Sequence, residues 1–254
     1  MATTPAPIVR IGTAGWSIPK EHGAAFPTDG SHLERYAAVF NAVEINSSFY
    51  RPHRPATYER WAASVPDGFR FAVKLPKAIT HEHRLKGTRP LLDRFLSEAS
   101  GLGSKLGPLL VQLPPSLRFE AGASDAFLHE LRSLVAGEIV CEPRHRSWFV
   151  PEVEALLDAL RIARVAADPA PVPGAGEPGG WRNLSYVRLH GSPRIYYSPY
   201  SEEALTAIAE RLVKDTAAGT GSWCIFDNTA AFAATGDALV TRNRVQAWSA
   251  GFAA

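Results

Sequence analysis

The chain has 254 residues, of which 46% are hydrophobic and 20% are charged, a composition that supports a large buried core. Its formal net charge of +2 is too small to indicate a nucleic-acid-binding protein by charge alone. No apolar run approaches the length of a membrane-spanning helix, and the first residues lack the basic and apolar segments of a signal peptide. The two cysteines, Cys141 and Cys224, have no metal-type spacing, so we expect free thiols in a cytoplasmic protein.

Short β-rich segments alternate with amphipathic helical segments along the chain. Eight strands are predicted, over residues 8–13, 42–46, 70–75, 108–113, 138–142, 164–168, 185–190 and 222–227. Helices are predicted over residues 31–40, 56–64, 90–100, 124–134, 152–161, 202–217 and within 230–248. A capping box at Ser31 and Glu34 marks the first of them. Eight alternating units in this length favour a single (β/α)8 TIM-like barrel over an open doubly wound sheet.

Two connections are irregular. Residues 76–87 form a long basic loop that carries His81 and His83, and residues 169–181 are rich in Pro and Gly. The second connection is interpreted either as a lid or as a mobile surface segment. Since no linker interrupts the pattern, we expect a flexible N-terminal tail over residues 1–7 and a single β/α barrel domain over residues 8–254.

Polar residues recur at the C-terminal end of most predicted strands, on the face that does not carry aliphatic residues. They are Glu44, Asn46, Lys74, Gln112, Glu142, Asp168, Arg188 and His190. The strand C-termini of a β/α barrel surround one mouth, where active sites lie, so the pattern predicts a site for a polar ligand. The alternative is a self-satisfied network in which Lys74 pairs with Glu44 or Glu142, and Arg188 pairs with Asp168.

Basic residues stand beside aromatic residues after several of the same strands. Arginine side chains next to aromatic walls suit phosphate or carboxylate ligands that carry a ring. Ligand-binding roles are therefore predicted for Asn46, Tyr50, Arg51, Gln112, Arg144, Trp148, Asp168, Arg188, Tyr196 and Asn228.

Seven motifs occur in order along almost the whole chain. They are IGTAGWS at 11–17, VEINSSFYR at 43–51, FAVKLPKAITH at 71–81, LGPLLVQLPPS at 106–116, CEPRHRSW at 141–148, YVRLHGSPRIYYSPYS at 186–201 and FDNTA at 226–230. Together they resemble the YecE-like family, known as domain of unknown function 72. The resemblance implies a TIM-like β/α barrel and implies no reaction. Asp227 stands where the family usually has a second Asn, which adds a carboxylate to the mouth.

Several reactions fit these residues. Glu44 and Glu142 could act as acid and base, with Lys74 and His190 as electrostatic or proton-transfer partners. An ordinary glycosidase is disfavoured, because the fourth and seventh strands end in Gln112 and His190. Lys74 could instead form a Schiff base. The sequence does not identify a cofactor. A divalent metal could be held by some of Glu44, Glu142, Asp168, His190 and Asp227.

The sequence predicts an enzyme that acts by acid–base chemistry on a small anionic molecule, phosphorylated or sugar-like, at the barrel mouth. The predicted catalytic residues are Glu44, Lys74, Glu142 and His190, and the predicted anion clamp is Arg144 with Arg188. Two alternatives stay open: a nucleic-acid-binding or phosphodiesterase-like barrel that grips a phosphate backbone, and a non-catalytic ligand-binding protein. No membrane partner is predicted, and the oligomeric state is not determined by the sequence.

Overall fold

The computed structural model describes residues 8–251, so the predicted tail over residues 1–7 lies outside the described residues, as do residues 252–254. The strands are β1 (Val9–Thr13), β2 (Ala42–Ile45), β3 (Arg70–Lys74), β4 (Leu106–Gln112), β5 (Ile139–Glu142), β6 (Ile162–Arg164), β7 (Ala166–Asp168), β8 (Gly179–Gly180), β9 (Leu184–Leu189) and β10 (Gly221–Phe226). The α-helices are α1 (His32–Ala37), α2 (Ser47–Tyr50), α3 (Pro55–Ala63), α4 (Arg89–Ala99), α5 (Ala123–Leu134), α6 (Pro151–Ala159), α7 (Glu202–Ala217) and α8 (Ala233–Gly251). Within residues 8–251, no helix is both long and apolar enough to cross a membrane.

Local sequence signals account for the helix starts. The Ser31 hydroxyl accepts from the Glu34 backbone N–H at 3.3 Å, and the Glu34 carboxylate accepts from the Ser31 N–H at 2.7 Å, as the capping box predicts. Pro55 and Pro151 begin α3 and α6, where the missing N–H costs nothing. Most strands match their predicted bounds within two residues, but the predicted strand 164–168 is divided into β6 and β7 at Val165.

The strands form two mainly parallel sheets. The six-stranded sheet has the order β2-β3-β4-β5-β6-β8, in which the last pair is antiparallel. The four-stranded sheet has the order β1-β10-β9-β7, and all of its pairs are parallel. The predicted parallel α/β organisation is therefore confirmed, whereas the strands of residues 8–251 are not hydrogen-bonded as the single closed sheet that the barrel prediction requires.

The two sheets approach each other at both edges. A single parallel bridge joins Ala14, just after β1, to Glu44 in β2. A Cβ atom on Gly12 would lie 2.0 Å from the Ala42 carbonyl oxygen, so only glycine lets β1 come this close to β2. At the other edge, the Val165 N–H donates to the Cys141 carbonyl at 2.8 Å, and the chain passes from β6 in one sheet to β7 in the other.

An apolar cluster fills the space between the two sheets. Its buried members are Ala42, Ala72, Leu110, Val140, Ala163, Val165, Leu184, Tyr186, Trp223 and Ile225. A second, larger cluster packs the outward faces of the strands against the helices. Because both faces of the strands are covered, the sheets are held by burial on each side, as parallel sheets require.

The Pro- and Gly-rich connection packs against neighbouring side chains. Arg164 donates to the carbonyls of Gly174 and Glu177 at 3.2 and 3.1 Å, and Arg211 in α7 donates to the Gly176 carbonyl at 3.1 Å. These contacts fix the segment beside β6 and α7. The interpretation of this segment as a mobile surface connection did not expect these contacts.

Cys141 and Cys224 are buried free thiols, as predicted, and they belong to different sheets. Burial raises the pKa of both thiols. A thiol that stays protonated is a poor nucleophile, so both cysteines serve the core.

Candidate functional site

A layer of polar side chains lies directly beyond the apolar cluster between the sheets. Each member follows a residue of that cluster by two positions in its strand, as Glu44 follows Ala42 and Arg188 follows Tyr186. Residues two apart share a face of a strand and are separated by about 6.6 Å, so these side chains gather at one level near the strand C-termini. The polar layer consists of Glu44, Lys74, Gln112, Glu142, Arg188 and Asp227, all of them buried.

Arg188 is the centre of the polar layer and has no exposed surface. Its Nε and Nη2 donate to Glu44 at 3.0 and 2.7 Å, its Nη1 donates to Glu142 at 2.5 Å, and its Nη2 also donates to Asp227 at 2.8 Å. Burial by itself would lower the pKa of Arg188, but the three carboxylates outweigh it and raise the pKa well above its usual value.

These contacts bear on two predictions about Arg188. All three of its guanidinium nitrogens are paired with protein carboxylates, which leaves none unpaired for the predicted clamp on a ligand's anion. Its third carboxylate partner is Asp227. The alternative prediction, in which the polar residues only pair with one another, expected Asp168 in that position.

Glu44 is enclosed within the layer. One carboxylate oxygen, Oε2, accepts from the Tyr186 hydroxyl at 2.8 Å as well as from Arg188, and Glu44 has no exposed surface. Tyr186 is held in place by stacking on Trp223, with ring centroids 5.8 Å apart. A ligand could reach the Glu44 carboxylate only by displacing these partners, so the contacts support a structural role for Glu44 rather than the predicted acid–base role.

His190 lies just beyond the layer, two positions after Arg188, and contacts two of its members, Glu142 and Asp227. Asp227 lies 3.1 Å from His190 Nδ1, and Glu142 Oε1 lies 3.3 Å from His190 Nε2 in a geometry that leaves this nitrogen without a hydrogen bond from the described residues. Burial would lower the pKa of His190, but the charge of Glu142 and the bond to Asp227 outweigh it and raise the pKa. Burial would likewise raise the pKa of both carboxyls, but Arg188 and His190 hold them below their usual range.

Lys74 differs from the other cations of the layer. Its side chain is only 9% exposed, and its Nζ lies 4.2 Å from the centre of the Phe49 ring. Within residues 8–251, no hydrogen bond or ion pair to its ammonium group is present. Burial, followed by the charge of Arg188, lowers the pKa of Lys74 to about 8, although the nearby carboxylates oppose the shift.

Three side chains form the rim above the layer. Arg144 donates through Nε and Nη2 to Glu142 Oε1 at 3.0 and 2.9 Å, and its side chain is one-fifth exposed. The Tyr196 ring meets the His190 ring edge-on at 5.7 Å and is partly exposed. Burial and the charges of Lys74 and Arg144 lower the pKa of His81, which places this histidine near both cations.

Asp168 points away from the layer, which corrects its predicted place. In the sheet register Ala167 pairs with Arg188, while Asp168 pairs with Leu189. Because paired residues of parallel strands point to the same side, Ala167 faces the interior and Asp168 faces the helices. Its carboxylate accepts from the Tyr200 hydroxyl at 2.9 Å, so Asp168 is not a ligand-binding residue of the layer.

Trp148 and Asn228 support loops. Trp148 is fully buried and donates through Nε1 to the Leu117 carbonyl at 3.0 Å, so its indole N–H already has a protein partner in place of the ligand that was predicted. Asn228 is also buried and donates through Nδ2 to the Ser198 carbonyl at 3.0 Å and to Asp237 at 2.7 Å. Those bonds anchor the segment after β9, although Asn228 Oδ1 accepts no bond from the described residues.

The remaining predicted ligand-binding residues lie in the layer and in two neighbouring cavities. Gln112 belongs to the layer. Tyr50 and Arg51 line a cavity of about 240 Å³ beside α4, and Tyr50 is 73% exposed. Asn46 lines a second cavity of about 360 Å³ with Trp16 and His32, and its buried Oδ1 accepts no bond from the described residues.

Most of the carboxylates that were considered as metal ligands surround Arg188. Within residues 8–251, no group of three or more His, Cys, Asp or Glu side chains has a metal-binding arrangement. Three of the candidate ligands, Glu44, Glu142 and Asp227, instead share the guanidinium. A cation is thus already present at the point where these carboxylates converge.

Two important residues were not predicted from the sequence. Tyr186 shares a strand face with Arg188, so the period-two pattern that found Arg188 could have found it. Phe49 has no such signal, because its place over Lys74 depends on the turn of α2 and on the packing of α2 against β3.

Comparisons with known proteins agree on one family. Residues 10–252 match the family described as "Protein of unknown function DUF72". The chain is 33% identical over 175 residues to UPF0759 protein YecE of Escherichia coli strain K12, covering 66% of this chain and 62% of that protein. It is 28% identical over 156 residues to UPF0759 protein YunF of Bacillus subtilis strain 168, covering 57% and 53%. The matched regions thus span less than two thirds of the length of these relatives.

Solved structures show the same fold. A DUF72 family protein from Thermotoga maritima superposes with a TM-score of 0.76 at 25% identity, covering 94% of this chain and 99% of that one. A DUF72 family protein from Enterococcus faecalis superposes with a TM-score of 0.79 at 21% identity, covering 94% and 96%. The chain therefore belongs to the DUF72, or YecE-like, family of proteins of unknown function.

Proposed function

We propose that the polar layer and its rim bind a small anionic molecule, phosphorylated or sugar-like, and act on it by proton transfer. The observation that carries this proposal is the contrast between Arg188 and Lys74. Arg188 is paired with three carboxylates, whereas Lys74 is 9% exposed and its ammonium has no hydrogen bond or ion pair among the described residues. The Lys74 nitrogen keeps some accessible surface, so a ligand at the mouth can reach it and replace the little water that it contacts.

The charges of the layer and rim favour an anion. Glu44, Glu142 and Asp227 are balanced by Arg188, Arg144 and a protonated His190, whose pKa is raised. Lys74 then adds one positive charge beyond this balance. An anionic ligand at the mouth would neutralise that charge and supply the acceptor that Lys74 lacks.

His190 is suited to transfer a proton to or from the bound ligand. Asp227 lies 3.1 Å from Nδ1 of its ring, and Nε2 lies 3.3 Å from Glu142 Oε1 without a well-aligned hydrogen bond, so both nitrogens lie beside a carboxylate that can exchange a proton with them. Because the pKa of His190 is raised, the imidazole stays protonated to higher pH than an ordinary histidine and can donate a proton to a ligand. Arg144 and Tyr196 would contact the anion and the ring or hydroxyl groups beside it.

The arrangement of the strands agrees with this placement of a site. If β6 and β7 are taken as one strand that changes partner at Val165, and the two-residue antiparallel β8 is left out, the remaining eight strands surround the apolar cluster in the order of a (β/α)8 barrel. The polar layer then lies at the C-terminal mouth, where barrels of this kind carry their active sites.

Calorimetric titration with inorganic phosphate tests the proposal. The wild type should bind phosphate, and Lys74→Gln should bind it at least about tenfold more weakly, since a charge-assisted contact is lost. Lys77→Gln is the matched control, because Lys77 is an exposed lysine paired with Glu82. Equal affinity in wild type and Lys74→Gln would refute the proposal. Tighter binding of a single-stranded oligonucleotide, with a steep salt dependence, would favour the nucleic-acid alternative instead.

A further inference from the structure

Lys74 has a different environment from the other partly buried lysine. Lys105, whose side chain is 13% exposed, donates to the carbonyls of Ala62 and Val65 at 2.8 and 2.5 Å and lies 3.6 Å from Asp67. Lys74 is a buried residue at 9% exposure, yet its nitrogen lies 4.2 Å from the centre of the Phe49 ring and has no hydrogen bond or ion pair among the described residues. The fold thus satisfies one buried ammonium and leaves the other available at the end of a strand in the polar layer.

We propose that Lys74 is a nucleophile that forms an imine with the carbonyl carbon of a small anionic aldehyde or ketone. The proposal rests on the anion-binding site described above and names the substrate class of that site. Lys74 would form the covalent bond, and Arg144 at the rim would contact the anionic group of the same molecule.

The protonation of Lys74 supports this role. An amine attacks a carbonyl only in its neutral form, and a pKa of about 8 leaves roughly a tenth of the side chains neutral at pH 7. An ordinary exposed lysine is neutral in less than about one molecule in a thousand at that pH. The charged groups that face Lys74 are Glu44, Glu142, Asp227, Arg188 and His81.

The Phe49 ring suits both the reactant and the product. Lys74 Nζ lies 4.2 Å from the centre of the ring, and a cation is stabilised over an aromatic face. The lysine ammonium and the protonated imine are both cations, so the ring supports the product as it supports the reactant. Burial and the charge of Arg188, rather than Phe49, favour the neutral amine.

Formation of the imine needs only Lys74, the carbonyl compound and a group of the site that gives and takes protons. The Lys74 nitrogen pair forms a bond to the carbonyl carbon, and the carbonyl oxygen takes a proton to become a hydroxyl. The nitrogen then loses a proton, and the hydroxyl takes a second proton and leaves as water, which gives the protonated imine. His190 Nε2, which lies 3.3 Å from Glu142 Oε1 without a well-aligned hydrogen bond, is assigned as the group that exchanges these protons.

Reductive trapping tests the imine directly. The wild type is incubated with dihydroxyacetone phosphate and sodium borohydride, and the modified lysines are identified by peptide mass spectrometry. Lys74 should be modified at least about tenfold faster than exposed Lys77, since its amine is neutral far more often at pH 7. The rate at Lys74 should rise up to about pH 8 and then level off. Uncharged dihydroxyacetone should modify Lys74 more slowly than its phosphate does.

The controls separate this proposal from the anion site itself. Lys74→Arg keeps the positive charge but cannot form the imine, so it should bind phosphate and show no adduct at position 74. Modification of Lys74 at the rate of Lys77 would refute the imine. If phosphate binding still depends on residue 74 in that case, the anion site stands and only the covalent step falls. If phosphate binding does not depend on residue 74 either, both proposals fall.

Discussion

The guanidinium of Arg188 forms a two-point pair with the carboxylate of Glu44, with N···O distances of 2.7 and 3.0 Å and no solvent exposure at either residue. Arg188 belongs to β9 in the four-stranded sheet, and Glu44 belongs to β2 in the six-stranded sheet. The pair therefore crosses the interior and joins the two sheets at the level of the polar layer. Planar guanidinium and carboxylate groups fix their mutual orientation, so the pair also sets where Glu142 and Asp227 lie.

Glu44→Gln should destabilise the protein strongly. The amide has nearly the same shape but no charge, so Arg188 would lose one of three buried counter-charges. We expect the free energy of unfolding in urea to fall by about 3 kcal/mol, within the range for a broken buried ion pair. Glu82→Gln, at an exposed pair with Lys77, should change it by less than about 0.5 kcal/mol. A loss no greater than in this control would contradict the structural role of Glu44.

Tyr186→Phe removes a single hydroxyl from the same cluster. The ring can keep its stacking on Trp223, but Glu44 Oε2 loses a donor at 2.8 Å. A hydrogen bond to a buried charge contributes about 1.5 to 3 kcal/mol, and we expect a loss of that size in thermal or urea unfolding. Tyr197→Phe, at a partly exposed ring, is the matched control and should be nearly neutral.

Lys74→Met should make the protein more stable at pH 7. The pKa of Lys74 falls from 10.5 to about 8 on folding, so the buried ammonium disfavours the folded state by about 1 to 3 kcal/mol wherever it is charged. Between about pH 8 and 10.5 the unfolded chain binds the extra proton, so wild-type stability rises with pH, and the advantage of the variant disappears. Urea unfolding at pH 7 and pH 10 measures this difference. A variant that is less stable than wild type at pH 7 would show that Lys74 is well satisfied.

His190 should give the opposite pH dependence. Because its pKa is raised in the folded state, its contribution to stability is complete below the unfolded value of about 6.5 and is lost as pH rises through the folded value. The free energy of unfolding should therefore decline more between pH 6 and pH 8 in the wild type than in His190→Asn. Parallel pH profiles would mean that Glu142 and Asp227 do not hold the protonated ring.

The alternation of strand side chains predicted much of the polar layer. Glu44, Lys74, Gln112, Glu142 and Arg188 were placed correctly because a carboxylate, amide or cation among aliphatic residues marks the inward face. The same rule failed at Asp168, where the polar face is the outward one. Arg164 on that face pairs with Glu154 of α6, a contact between distant segments that no local pattern reveals.

The roles of the residues were harder to predict than their positions. Trp148 stands beside arginines in the sequence, yet its indole N–H bonds to Leu117, a partner 31 positions away. Arg188 was expected to bind a ligand's anion, and the convergence of three carboxylates on it depends on the order of strands in two sheets. Sequence position indicates which side chains enter the interior, whereas their pairing is decided by tertiary contacts.

A crystal structure of the wild type grown with saturating inorganic phosphate tests the central claim most directly. The claim is that Lys74 is kept available for an anion while Arg188 is neutralised by Glu44, Glu142 and Asp227. The account predicts phosphate density within hydrogen-bonding distance of Lys74 Nζ, with the Arg188 pairs unchanged. A mouth without phosphate, in which Lys74 Nζ is bonded to one of the carboxylates, would contradict it.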